Sequence, residues 1–143
     1  MLDTLLRPAI KPALLAHPYF SHSVRAGFPS PADDYVCEAL DLNEHLIQHK
    51  EATFFLRAKG HSMTGAGIHD DDLLVVDRSI TPVHRCVVIA VLDGAFTVKR
   101  LFKRAGRIRL LSENPDFAPL DLEDGQELQI WGVVTNVIHR IQR

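Results

Sequence analysis

Two residues carry the chemistry this sequence can do: Ser62, in Gly60-His61-Ser62-Met63, and Lys99, in Phe96-Thr97-Val98-Lys99-Arg100. A serine hydroxyl is a weak nucleophile until a base takes its proton, and the usual base is a histidine held by a carboxylate. Among the histidines, His61 is adjacent to Ser62, and neighbours on an extended chain point to opposite sides. His69, His84 and His139 sit in no recognisable triad motif, although spacing leaves them open as partners. Lysine is the other base available, and it works only as the neutral amine. At an ordinary pKa of about 10.4, fewer than about one lysine amine in a thousand is neutral at pH 7; lowering a lysine by about three units costs roughly 4 kcal/mol, which an apolar pocket can impose. Lys99 suits this best, because Phe96, Val98, Leu101 and Phe102 surround it in sequence, whereas Lys11, Lys50, Lys59 and Lys103 fall in arm, loop or strand-end contexts. Read alone, Lys99 is an ordinary strand lysine beside Arg100; read with Ser62, it is the lysine best suited to serve as a base.

The elements that must position this pair are mostly strands. Thr53 to Ala58, Leu73 to Asp77, Cys86 to Leu92, Ala95 to Phe102, Arg107 to Leu111 and Glu127 to Ile138 are short apolar runs parted by turn signals. Asp93-Gly94 is the clearest turn, an Asp-Gly pair suited to a two-residue hairpin with positive φ. Alternation places Thr97, Lys99 and Leu101 on one face of their strand and Val98, Arg100 and Phe102 on the other. The stretch from Thr64 to Asp72 is rich in glycine and short polar residues and reads as a loop, as does Ser112 to Gln126 with Pro115 and Pro119. One helix is expected from Asp41 to about His49, with Asp41 as N-cap and Glu44 completing a capping box. His45 and His49 would stand one helical turn apart, but a third metal ligand at sensible spacing is missing, so no metal is expected there. The fold class that follows is mostly β: a single compact antiparallel β domain over 33–143, with one short N-terminal helix and an extended, flexible N-terminal arm.

That arm, residues 1–32, holds five of the eight prolines, which withhold helix continuity and ladder donors. Its charge up to Ala26 is +2, leaving −4 on the rest of a chain whose net charge is −2. At its end Ala26-Gly27 precedes a segment that Pro29 and Pro31 hold extended, a form that a strand-binding cleft accepts. An ordinary linker is the plainer reading of the same residues. The slightly acidic chain offers no field for tight phosphate-backbone binding, so direct sequence-specific DNA contact is not expected. Lys103, Arg104, Arg107 and Arg109 form a local basic stretch that reads as a solvated hairpin or a patch for DNA or a polymerase. Cys37 and Cys86 form no CxxC pair, which fits a reducing cytoplasm. No signal-peptide core or membrane span can be drawn through the proline-broken N-terminus.

Together these pieces resemble the LexA/UmuD family of self-cleaving Ser-Lys proteins, and its UmuD-type members most. The resemblance runs from about Gly27 onward. It rests on Phe28-Pro29-Ser30-Pro31-Ala32-Asp33-Asp34-Tyr35-Val36, Asp41-Leu42-Asn43, Leu46-Ile47-Gln48-His49, Gly60-His61-Ser62-Met63, Gly67-Ile68, Asp72-Leu73-Leu74-Val75-Val76-Asp77 and Asp93-Gly94-Ala95-Phe96-Thr97-Val98-Lys99. It implies that Ser62 attacks, that Lys99 accepts and returns the proton, and that the bond cut is Ala26-Gly27 in the same chain or a dimer partner. Backbone N–H groups of His61, Ser62 and Met63 would form the oxyanion hole, and no cofactor is implied. It implies a homodimer whose slow self-cleavage is stimulated by a RecA filament on single-stranded DNA. The trimmed form would join a UmuC-like, Y-family error-prone polymerase in the bacterial cytoplasm. Three positions depart from the pattern: His61 replaces a common Asp, Asp71 a common Gly, and Arg85-Cys86 a common Gly-Asp. LexA-type repressors place a helix-turn-helix ahead of the cleavage site, which twenty-six proline-interrupted residues are not expected to form. Membrane signal peptidases share the Ser-Lys chemistry but need an anchor. The alternative of a different class is a non-catalytic dimeric binding module in which Ser62 and Lys99 are vestigial.

Overall fold

The computed structural model describes residues 5–6, 15–20, 24, 26–27, 37–122 and 127–142. The chain divides into two compact units: Lys11–Gln48, and a larger one that joins Met1–Ile10 to His49–Arg143.

In the smaller unit, β2 (Ala16–Phe20) pairs antiparallel with β3 (Cys37–Asp41), and α1 (Leu42–Leu46) follows directly. Asp41 caps α1 as its sequence position suggests. One carboxylate oxygen accepts from the Asn43 N–H at 2.9 Å, and the other accepts from the Leu15 N–H at 3.3 Å. The helix is shorter than the expected Asp41 to His49. Ile47 turns extended at φ −111° and ψ 105° after its N–H bonds Asn43 O, and a single turn that buries no residue has no packing to propagate it. His45 and His49 therefore do not stack on one helix face.

The larger unit is built on one eight-stranded antiparallel sheet, in the order β1 (Leu5–Leu6), β4 (Thr53–Arg57), β5 (Leu73–Asp77), β10 (Leu128–Ile138), β6 (Val87–Leu92), β7 (Ala95–Arg104), β8 (Arg107–Leu111) and β9 (Leu120–Asp121). The mostly β, antiparallel architecture agrees with the strand pattern, and β5 and β8 match their expected bounds. Residues 1–32, expected as an extended arm, contribute the strands β1 and β2. Among the described residues β3 is the single partner of β2, so the missing N–H of Pro18 interrupts no second ladder there.

The last strand lies at the centre. β10 pairs with β6 through its first half and with β5 through its second, and irregularities at Trp131 and Thr135 bend it between them. Trp131 then packs against Phe54 and Phe96 at centroid distances of 5.2 and 5.9 Å, with the Arg78 guanidinium over its ring. Two apolar clusters result. One gathers Leu56, Met63, Ile68, Leu74, Val76, Ile89 and Val98; the other gathers Val88, Ala90, Leu101, Leu110 and Val133. Met63 and Ile68 anchor the loop after β4 into the first cluster. In β6 and β7, alternate residues serve alternate clusters, as the two-residue period requires. The β6–β7 hairpin turns at Asp93 and Gly94 with φ of 49° and 80°, the conformation its sequence calls for.

Candidate active site

Ser62 and Lys99 meet. Lys99 Nζ lies 3.0 Å from Ser62 Oγ and donates to Val98 O at 3.2 Å. Lys99 stands in register with the fully buried Val88 of β6 and shares its strand face with Leu101. It is only 9% exposed, and desolvation by burial holds its amine below the usual lysine range. Lys99 is thus a buried lysine in an apolar strand, within hydrogen-bond distance of a serine hydroxyl. None of the described hydrogen bonds to Ser62 Oγ comes from a histidine. His61 is exposed and offers its backbone carbonyl to Asn114, while His84 accepts from the Lys103 N–H and packs edge-on to Phe102.

The loop that carries Ser62 is closed at its base by Ala58 N–H to Asp72 O and Asp71 N–H to Ala58 O, at 2.9 and 2.8 Å. Gly60 and Gly67 take φ of 91° and 81°, which glycine adopts without a Cβ penalty. Across the loop runs the segment after β8. Glu113 N–H donates to Ser62 O at 2.8 Å, Gly65 N–H donates to Glu113 O at 2.7 Å, and Asn114 Nδ2 donates to His61 O at 2.8 Å. Glu113 is itself held by Arg100, the neighbour of Lys99, whose other guanidinium nitrogen donates to Arg85 O. Lys99 and the Ser62 loop are thus braced by one set of contacts. Glu113 and Asn114 leave no signal in the sequence, because a loop residue opposite Ser62 has no periodicity to mark it.

This bracing orients the backbone. The carbonyls of His61, Ser62 and Met63 all point to donors: Asn114, Glu113, and the N–H groups of Ala66 and Ile68. Among the described residues, no acceptor takes the N–H of His61, Ser62 or Met63.

The departures at Asp71 and Arg85 acquire a physical meaning. Both residues sit in the left-handed region, at φ of 73° and 78°, where glycine is at ease. Asp71 is held by Lys59 Nζ at 2.8 Å, and that hydrogen bond and charge lower its carboxyl pKa. The Arg85 turn is held by Arg85 N–H to Leu101 O and by the Arg100 contact to its carbonyl.

Other expected features are placed as follows. Ala26 and Gly27 are both exposed and belong to the smaller unit, and residues 25 and 28 lie outside the described residues. His49 pairs with Asp77 at 2.6 Å; burial alone would raise the Asp77 carboxyl, but hydrogen bonds from Ser79 and His49 outweigh it and leave the pKa lowered. In the basic stretch Arg109 pairs with Asp121, while Lys103, Arg104 and Arg107 are exposed. Cys86 is a free thiol, and no helix of the described residues is long and apolar enough to cross a membrane.

Comparison with known proteins bears on this arrangement. The sequence profile of the family described as "Peptidase S24-like" matches residues 18–135. Protein ImpA of Escherichia coli is 51% identical over 124 residues, spanning 86% of this chain and 83% of its own. Protein SamA of Salmonella typhimurium is 48% identical over 136 residues, 95% of this chain and 94% of its own. Protein MucA of Escherichia coli is 45% identical over 120 residues, 83% of this chain and 82% of its own.

Proposed function

The chain belongs to the peptidase S24-like family of serine peptidases, in its LexA/UmuD group, and on that premise we propose that it is a Ser-Lys autoprotease that cuts its own Ala26-Gly27 bond. The observation that carries the proposal is the 3.0 Å approach of a buried lysine to a serine hydroxyl.

The chemistry follows from the geometry. As the neutral amine, Lys99 keeps an N–H for Val98 O and turns its lone pair to the Ser62 hydroxyl. Ser62 Oγ attacks the Ala26 carbonyl carbon as Nζ takes the hydroxyl proton. The oxyanion settles against the N–H groups of His61, Ser62 and Met63. Lys99 returns the proton to the Gly27 nitrogen, which leaves as the new N-terminus, and Ser62 carries an acyl ester of residues 1–26. Water, deprotonated by Lys99, then releases that fragment. The exposed Ala26-Gly27 backbone is open to such a cleft.

In this reading Ser62 acts once per chain, as a switch. The trimmed form, residues 27–143, works as a homodimer with a UmuC-like Y-family polymerase in SOS mutagenesis and translesion synthesis after DNA damage, in the bacterial cytoplasm. A RecA filament on single-stranded DNA supplies the stimulus. The test is to incubate the full chain with RecA, ATP and single-stranded DNA and to follow intact mass. Appearance of residues 27–143 only when all three are present supports the reading. A chain that stays whole while a known LexA-type substrate is cut in the same tube would leave the binding module as the better account.

A further inference from the structure

A second cluster of chemically capable side chains lies at the far end of the Ser62 loop. His69 and Asp72 come from that loop, and His139 follows β10, so residues sixty-seven positions apart are brought together. His139 Nδ1 lies 2.5 Å from Asp72 Oδ1, and His69 Nδ1 lies 3.7 Å from Asp72 Oδ2. One donor atom from each of the three lies within 4.8 Å of the others. We propose that His69, Asp72 and His139 form a binding site for a divalent cation of the zinc class.

Three features point to a cation. Asp72 is only 3% exposed, yet among the described residues no lysine or arginine pairs with it; Arg57 and Lys59 are both engaged with Asp71. The described side chains that pair with it are the two imidazoles. The His69 N–H donates to Asp72 Oδ2 at 2.8 Å and fixes the carboxylate plane, the kind of outer contact that orients a metal ligand. Beside the cluster a cavity of about 430 Å³, whose lining includes Asp70, Asp71, Asp72, His139 and Arg140, leaves room for water to complete the coordination.

The donor set selects the metal. Two imidazoles and one carboxylate suit Zn²⁺, Co²⁺ or Ni²⁺ and are a poor cage for Ca²⁺ or Mg²⁺, which prefer six or more oxygens. Metal bonds of about 2.0–2.1 Å at tetrahedral angles place donor atoms about 3.4 Å apart. The His69–Asp72 separation is already near that value. The His139–Asp72 contact must open by about 1 Å, which a rotation of the half-exposed His139 ring supplies. Chain spacing singles out only His45 and His49, because it cannot see that β10 returns to the loop. An ion here would tie the segment after Ser62 to the end of the central strand.

The test uses the full chain without an affinity tag, stripped with chelator and titrated with Zn²⁺ at pH 7.5. The site predicts one equivalent bound with micromolar or tighter affinity, undisturbed by millimolar Mg²⁺. It also predicts a melting temperature that rises with free Zn²⁺, and a tetrahedral absorption spectrum with Co²⁺. His69→Gln and His139→Gln should each weaken binding at least tenfold, while His84→Gln should not. In the unaltered chain, imidazole NMR signals of His69 and His139 should shift on adding one equivalent, which needs no variant. The proposal is overturned if no saturable binding occurs, if the His69→Gln/His139→Gln double variant binds as tightly, or if other histidines shift instead.

Discussion

Replacing Gly65 by alanine probes the brace that holds the nucleophile. A Cβ built on Gly65 would lie 2.5 Å from Glu113 O, a backbone atom. The contact must widen by about 0.5 Å or more, and the same two residues share the 2.7 Å hydrogen bond from Gly65 N–H to Glu113 O. Widening it strains the neighbouring bond from Glu113 N–H to Ser62 O as well. With each net hydrogen bond worth about 0.5–1.5 kcal/mol, the expected loss of stability is about 1–3 kcal/mol. The effect on chemistry is larger, because displacing Ser62 by a fraction of an ångström from Lys99 slows attack by about 10- to 100-fold. Gly67→Ala is the comparison: φ is 81° but nothing lies within 4 Å of its Cβ, so it adds about 1 kcal/mol of backbone strain without moving the brace. Urea unfolding gives the stabilities, and intact mass at alkaline pH gives the cleavage rates. Gly65→Ala cleaving as fast as Gly67→Ala would refute the view that the Glu113 contacts position Ser62.

Two further outcomes follow from the same contacts. In a Ser62→Ala background that prevents cleavage, Lys99→Met should be more stable than its parent near neutral pH, since burial depresses the lysine pKa and folding must either desolvate the ammonium or strip its proton. That cost is complete below the depressed folded pKa and fades as pH rises toward the ordinary value of about 10.4, so the stability gap should close by at most about 1.4 kcal/mol per pH unit; a gap that does not change with pH in urea unfolding contradicts it. Arg85→Gly should stabilise the chain by about 0.5–1 kcal/mol by relieving the left-handed backbone at φ 78°, read as a melting-temperature rise of about 2–4 °C, whereas a fall would show that the arginine side chain contributes more than its backbone costs.

Much of the fold was legible because it is local. Strands β4 to β8 and β10 declare themselves by apolar runs between turn residues, and Asp93-Gly94 dictates its own hairpin. The pairing order was not legible, since nothing in the Leu128–Ile138 stretch says that it will sit between β5 and β6 or bend at Trp131 and Thr135. The turn at Ala105-Gly106, with φ of 53° and 74°, carries only half of the usual signature. Strands β1 and β2 were hidden by the prolines around them. At the site, Ser62 and Lys99 were legible as residue types in the right contexts. The contacts that brace them were not: Glu113 meets Ser62 and Gly65 through its backbone, and backbone contacts between loops leave no trace in residue identity.

The most direct measurement is self-cleavage of the purified full chain at alkaline pH, where Lys99 loses its proton without help. Intact mass should show residues 1–26 released from wild type, faster as pH rises, with Ser62→Ala and Lys99→Ala uncut over the same time. Wild type remaining whole, or either variant being cut at the wild-type rate, would contradict the Ser62–Lys99 mechanism.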